Sequence, residues 1–373
     1  PSGILLKKVG FKRGIMYGFM LTALGAFLFV PAALVRQFEI FLIGLFSIGT
    51  GLAILQTAAN PYVTIIGPIE SAARRISIMG ICNKFAGIIS PLIFAALILK
   101  ADDSELFSLI ESGTLDAITK SAMLDELIQR VIVPYAILGG LLVLAGIGIR
   151  YSILPEINTD EQNATDEKEN GHNSKKSIFD FPYLILGALA IFFHVGTQVI
   201  AIDTIINYAN SMGIDLLEAK VFPSYTLACT MIGYVLGILI IPKYVSQTKA
   251  LIICTILGLL LSFGVVFADF NVTLFGHQAN ISIFLLCALG FPNALIYAGI
   301  WPLSIHGLGK FTKTGSSLLI MGLCGNAILP LIYGYFAEVY DLRIGYWILI
   351  PCYLYLIFFA TKGHKINSWK RNY

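Results

Sequence analysis

Stretches of about twenty predominantly apolar residues recur along the whole chain, and each is long enough to cross a bilayer as a helix. Ten can be counted in the 373 residues, near 14–34, 39–66, 76–99, 131–153, 181–209, 222–242, 249–268, 280–304, 315–338 and 345–361. This pattern leaves little choice of fold class. In lipid every backbone N–H and C=O must be satisfied internally, so only helices and closed barrels span a membrane. A barrel would be written in short alternating segments, and no such series is visible. The expected fold is an all-α, polytopic membrane protein. Composition agrees, with 13% charged residues against the roughly 25% typical of soluble domains.

The basic residues orient the chain. With the N-terminus placed in the cytoplasm and the sides alternating, eighteen of the 25 lysines and arginines fall in cytoplasmic segments and six in outer loops, with Lys84 inside a span. That excess is the positive-inside bias. The net charge of +3 therefore reflects loop placement, and no nucleic-acid partner is inferred from it. The six cysteines all fall in expected helices without CxxC or His-rich spacing, so they read as small packing residues. No nucleophile–base pair or metal cluster suggests an enzyme, no metal site is expected beyond the carboxylate discussed below, and no cofactor is implied.

Polar side chains inside the spans carry the functional signal. The run "IGTGLAILQTAANPYVTIIGPIESAARR" (48–75) places Gln56, Thr57, Asn60 and Pro61 in the middle of an oily helix. Amides both donate and accept hydrogen bonds, as the hydroxyls of a polar solute do. A proline that loosens a helix is tolerated where the helix lines a cavity. Lys84, His194 and Asp203 are the ionisable residues within spans, and such residues suggest function by default. Asp203 is the candidate ion-coupling group. Asn207 shares its helix face, while Thr204 and Gln198 lie near in sequence, and their oxygens could help it hold sodium. The plainer reading is an aspartate bonded to neighbouring hydroxyls. Lys84 either snorkels to the cytoplasmic surface or pairs with a buried acid. His194 is either a proton shuttle or a hydrogen-bonded structural histidine. Asn326 and Trp301 are candidate substrate contacts. Trp301 and Tyr297 flank Pro302 and could stack on a substrate ring or simply pack in the bundle.

The halves of the chain resemble each other. "IMGICNKFAGIISPLI" from Ile78 is echoed by "IMGLCGNAILPLI" from Ile320, Pro61 by Pro302, and "GILLKK" from Gly3 by "GILIIPK" from Gly237, at offsets of 242, 241 and 234. Matches in order at nearly one offset argue for duplication of a helical bundle. By the same alignment roughly 55 residues of the first repeat, one helix and most of another, are missing before Pro1. Ten of twelve helices are thus expected, and a chain so shortened is not expected to transport alone. The division is an incomplete N-terminal bundle (1–153), a polar cytoplasmic linker (154–180) and a six-helix C-terminal bundle (181–373). Residues 100–130 are expected to form one or two amphipathic helices on the outer surface.

"SGILLKKVGFKRG", "LQTAANPYVTIIGP", "RISIMGICNKFAG" and "GLGKFTKTGSSLLIMGLCGNAILP" resemble the major facilitator superfamily, and within it the glucose/galactose branch of the fucose:proton symporter family. The resemblance implies a monomeric, multi-pass transporter of the bacterial inner membrane. Its substrate would be a hexose, carried by alternating access on a sodium or proton gradient. It also implies that a proton-carrying glutamate of the family is replaced by Gln56, which cannot titrate, and that a sugar-binding asparagine matches Asn83. A glutamine one turn before that asparagine is replaced by Gly80. The expected sugar contacts are Gln56, Asn60, Asn83, Gln198, Asn207, Asn326 and Trp301. With position 56 silent, the coupling ion is assigned to Asp203, and sodium is favoured over protons. The rival readings are a sugar-binding membrane sensor that does not transport and an exporter of another solute. The amides favour a polar cargo over a drug or lipid.

Overall fold

The computed structural model describes residues 2–98, 117–156 and 177–369, and these are overwhelmingly helical. Among them nine helical segments are long and apolar enough to cross a membrane. The other expected span, 76–99, falls on a 27-residue helix, Ala72–Ile98. Large apolar side chains cover the outside, among them Leu239 (63% exposed), Leu260 (61%) and Leu331 (74%). Only a hydrocarbon solvent makes such a surface stable.

Packing divides the chain into two units. One comprises Ser2–Ala59 and Phe85–Ile157, and the other Asn60–Lys84 and Asn158–Tyr373. Helices α2 (Phe38–Ile65) and α3 (Ala72–Ile98) each contribute to both. Residues 60–84, which the sequence division places in 1–153, therefore pack with the C-terminal helices. The linker residues 157–176 and the loop residues 99–116 lie outside the described residues.

In the first unit, α1 (Ser2–Val35) turns at Gly10, whose φ of 81° only glycine adopts readily. The basic loop there is tied down by Lys12, which donates to the Ser152 carbonyl at 2.7 Å. Helix α4 (Ala117–Arg130) is the expected surface helix, and an ion pair between Asp125 on it and Arg36 joins it to the end of α1. It leads into α5 (Ile132–Tyr151), which packs along α1.

The second unit is built around α6 (Pro182–Asp203), followed by α7 (Ile205–Ser211), α8 (Leu216–Ala219), α9 (Phe222–Ile240) and α10 (Gln247–Phe267). An antiparallel hairpin follows, β1 (Asn271–Leu274) and β2 (His277–Asn280). The remaining helices are α11 (Ile281–Ala288), α12 (Gly290–Ile305), α13 (Thr312–Met321), α14 (Gly325–Val339), α15 (Leu342–Gly345) and α16 (Leu349–Thr361). Helix α6 packs against α12, α13, α14 and α16. Its Leu184, Ile191 and Ile200 are fully buried with Trp301, Tyr346 and Tyr353. The pair Gly233/Gly237 lets α9 approach α12 closely. A Cβ at Gly233 would stand 2.5 Å from the Phe291 carbonyl oxygen.

Within this unit, loops that the charge count assigns to one side contact one another. Among those expected outside, Glu218 meets His277 at 2.6 Å, and Arg343 reaches Asp269 at 3.0 Å. The Asn280 amide and then Arg343 hold the Asp269 carboxyl below its usual range. Among those expected in the cytoplasm, Tyr183 donates to the His306 carbonyl, Trp369 to the Phe179 carbonyl and the Ala73 N–H to Gln247 Oε1. The hairpin between α10 and α11 is a departure from the helical expectation. It is two four-residue strands in a polar loop, and its two-residue turn puts Phe275 and Gly276 at positive φ, which suits the twist of paired strands.

The internal repeat is visible in the backbone. Helix α2 ends at Ile65, a single 3-10 turn covers Ile69–Ser71, and α3 begins at Ala72. Helix α12 ends at Ile305, a 3-10 turn covers Gly309–Phe311, and α13 begins at Thr312, an offset of 240 at each point.

Arg75 closes the first of these turns. Its Nε donates to the Val63 carbonyl (2.7 Å), Nη2 to Thr64 (2.6 Å) and Gly67 (3.2 Å), and Nη1 to Pro68 (3.0 Å) and Ser71 Oγ (2.6 Å). The Val63 and Thr64 carbonyls are among those a helix end leaves without partners, and a guanidinium suits the negative end of the dipole. Arg75→Ala should lower the stability of the detergent-solubilised protein by about 2 kcal/mol, read as a fall in melting temperature. Lysine, with one charged nitrogen, should not rescue it. The exposed Arg74 next door should tolerate alanine with little change.

Candidate functional site

Helix α12 carries Asn293, Tyr297 and Trp301 at i, i+4 and i+8, so the three stand on one face. Asn60 of α2 is 4% exposed and its Nδ2 donates to Tyr297 Oη at 2.9 Å. The Tyr297 ring lies 6.1 Å from that of Trp301 and 6.1 Å from the imidazole of His194 on α6. One turn along α12, Tyr353 Oη of α16 donates to Asn293 Oδ1 at 2.7 Å, with Thr197 of α6 also within reach of that hydroxyl. Four helices, α2, α6, α12 and α16, thus meet on a row of amide, phenol, indole and imidazole groups inside the second unit.

Most buried hydroxyls in these helices need no such row. Thr64 donates to the Asn60 carbonyl, Thr230 to Thr226, Ser304 to Ile300 and Ser316 to Thr312, each four residues back. Serine and threonine satisfy themselves on their own helix in this way, so their presence in a span says little. Asn60 uses its amide on another helix, and that difference marks it.

Of the residues expected to contact sugar, Asn60 and Trp301 stand in this row, and Trp301 is fully buried. Gln56 lies one turn before Asn60 on α2, half-buried, and belongs to the first unit. Asn83, Asn207 and Asn326 are exposed and Gln198 is half-buried, and no hydrogen bond among the described residues joins them to the row. Asp203 ends α6, exposed and without a hydrogen bond or ion pair among the described residues. The oxygen set read around it from the sequence is smaller than expected, because Thr204 Oγ1 is 2.7 Å from Tyr346 Oη and donates to the Ile200 carbonyl. Lys84 makes no ion pair among the described residues.

Gly80, where the resemblance placed a lost glutamine contact, faces Tyr234 of α9. A Cβ there would lie 2.5 Å from the phenol ring. The space a longer side chain would take is filled by tyrosine from another helix, which a single span cannot reveal. Asn293 and Tyr353 were also missed. The only trace of Asn293 in the sequence is its spacing of four from Tyr297 and eight from Trp301.

The arrangement of spans, turns and repeat matches a family model. The description of that family is the Major Facilitator Superfamily, and the match runs over residues 1–322. The chain belongs to the Major Facilitator Superfamily. This is a superfamily of transporters rather than enzymes. Over 370 residues the MFS chain is 31% identical to a glucose/galactose transporter of Brucella abortus, covering 98% of this chain and 81% of the relative. Over 341 residues it is 30% identical to the L-fucose-proton symporter of Escherichia coli, covering 91% and 75%. Among solved structures, the MFS transporter FucP in the outward conformation superimposes with a TM-score of 0.81 at 26% identity, over 99% of this chain and 86% of that one.

Proposed function

We propose that this MFS protein takes up a hexose of the glucose/galactose kind by alternating access, driven by a sodium or proton gradient. The observation that carries the reading is the buried Asn60 amide bonded to Tyr297 beside Trp301, in a chain whose similarity to sugar transporters runs nearly end to end. Sugars are bound by amides for their hydroxyls and by aromatic faces for their C–H surfaces. The other contacts in this reading are Gln56, Asn83, Gln198, Asn207 and Asn326. Asp203 supplies the coupling carboxylate, because Gln56 cannot exchange a proton. The protein acts as a monomer in the inner membrane of a bacterium.

The test is uptake of labelled D-glucose, D-galactose and L-fucose by the full-length protein in proteoliposomes, with sodium and proton gradients imposed separately. Accumulation of at least one sugar above its outside concentration is expected. Binding without accumulation under either gradient would favour a sensor, and neither binding nor uptake of any of the three would exclude a hexose.

A further inference from the structure

Three side chains in the row carry buried polar atoms with no hydrogen-bond partner among the described residues: both ring nitrogens of His194, Nδ2 of Asn293 and Nε1 of Trp301. His194 and Trp301 are 0% exposed and Asn293 1%. Of the two sequence readings of His194, the hydrogen-bonded structural histidine finds no partner among the described residues. Trp301 Nε1 lies near the Tyr297 hydroxyl without bonding to it in normal geometry. Unpartnered polar groups at this depth are rare, and each calls for an explanation. A shared explanation is suggested because all three flank Tyr297. Asn293 and Trp301 stand one turn to either side of it on α12, and the imidazole faces its ring at 6.1 Å.

We propose that His194, Asn293 and Trp301 form the part of the sugar site supplied by the C-terminal helices, with His194 reading hydroxyl orientation. The inference rests on the hexose reading and deepens it. A neutral imidazole offers one donor and one acceptor, the indole one donor, and the amide nitrogen its N–H donors. A hexose answers with hydroxyls that do both, a ring oxygen that accepts, and a C–H face for the Tyr297 and Trp301 rings. A cationic cargo fits poorly, because among the described residues no carboxylate hydrogen-bonds the imidazole. Selectivity follows from the fixed directions of these groups. A site built to bond a particular hydroxyl rejects an isomer that leaves a buried partner unpaired.

The decisive variant is His194→Leu in the full-length protein. The imidazole makes no hydrogen bond to the described residues, so the sugar-free melting temperature should be unchanged or higher. Equilibrium binding of D-glucose should weaken at least tenfold. His194→Gln keeps one donor and one acceptor, so it should recover part of the affinity and reorder the preference among D-glucose, D-galactose and L-fucose. A lower melting temperature with unchanged sugar affinity would show that the ring is structural, held by buried water, and would overturn the proposal. Trp301→Phe provides an independent arm that keeps the ring and removes Nε1. It too should weaken binding with the fold intact, and unchanged affinity in both variants also overturns the proposal. If the unaltered protein binds none of the three sugars, the hexose reading itself falls. If it binds and the variants bind equally, only this inference does.

Discussion

Asp203→Asn is expected to abolish gradient-driven accumulation of sugar while leaving exchange of sugar across the membrane intact. The carboxylate terminates α6, and among the described residues nothing neutralises it. A charged side chain in a membrane helix costs roughly 2.5–3.5 kcal/mol at the helix centre and less toward the ends, and such residues generally serve ion or proton pathways. Hard cations are held by oxygen ligands, and Asn207, four residues on, offers one. Thr204 does not, because its hydroxyl is committed to Tyr346 and Ile200. Asparagine keeps the shape of the side chain and removes its charge, so a site that works by charge fails while the sugar path is undisturbed. The measurement is the ratio of inside to outside labelled sugar in proteoliposomes under a sodium gradient and, separately, a proton gradient. The ratio should fall to unity in the variant under whichever gradient drives the unaltered protein. An undiminished ratio would return Asp203 to a structural role and place coupling elsewhere.

The second large effect concerns Asn60. Asn60→Leu removes a buried amide and leaves Tyr297 Oη without its donor, while the apolar volume is roughly kept. Loss of a hydrogen-bonded partner inside a protein costs about 1–3 kcal/mol, so the KM for sugar should rise about 5- to 150-fold. Tyr297→Phe should produce a smaller rise. Because the two groups bond each other, the double variant should be less impaired than the separate effects predict, with a coupling of about 0.5–3 kcal/mol. If the pair only joins α2 to α12, both variants will lower the melting temperature and leave KM alone.

What was legible in the sequence is what a bilayer imposes residue by residue. A span must be about twenty apolar residues long, and a cytoplasmic loop must carry the basic side chains. Both rules act locally, so the helices and the repeated turn before α3 and α13 could be read from composition along the chain. Asn60 was legible too, because an amide in the middle of a span stands out against its neighbours. The hairpin at 271–280 was missed, since two four-residue strands in a polar loop carry too little pattern to compete with the helical signal around them.

The tertiary structure decided which face of each helix meets which neighbour. Arg74 and Arg75 are adjacent in sequence, yet a rotation of about 100° between them along the helix leaves one exposed and sets the other on the end of α2. Gly80 reads as a lost contact until Tyr234, some 150 residues away, is found against it. His194 reads as an ordinary buried histidine until no partner is found for either nitrogen. Hydropathy depends only on a residue's own neighbours in the chain, and it set the number and extent of the helices. The pairing of Asn60 with Tyr297, and the lack of a hydrogen-bond partner for His194 among the described residues, depend on how separate helices are rotated against one another, which non-local packing alone determines.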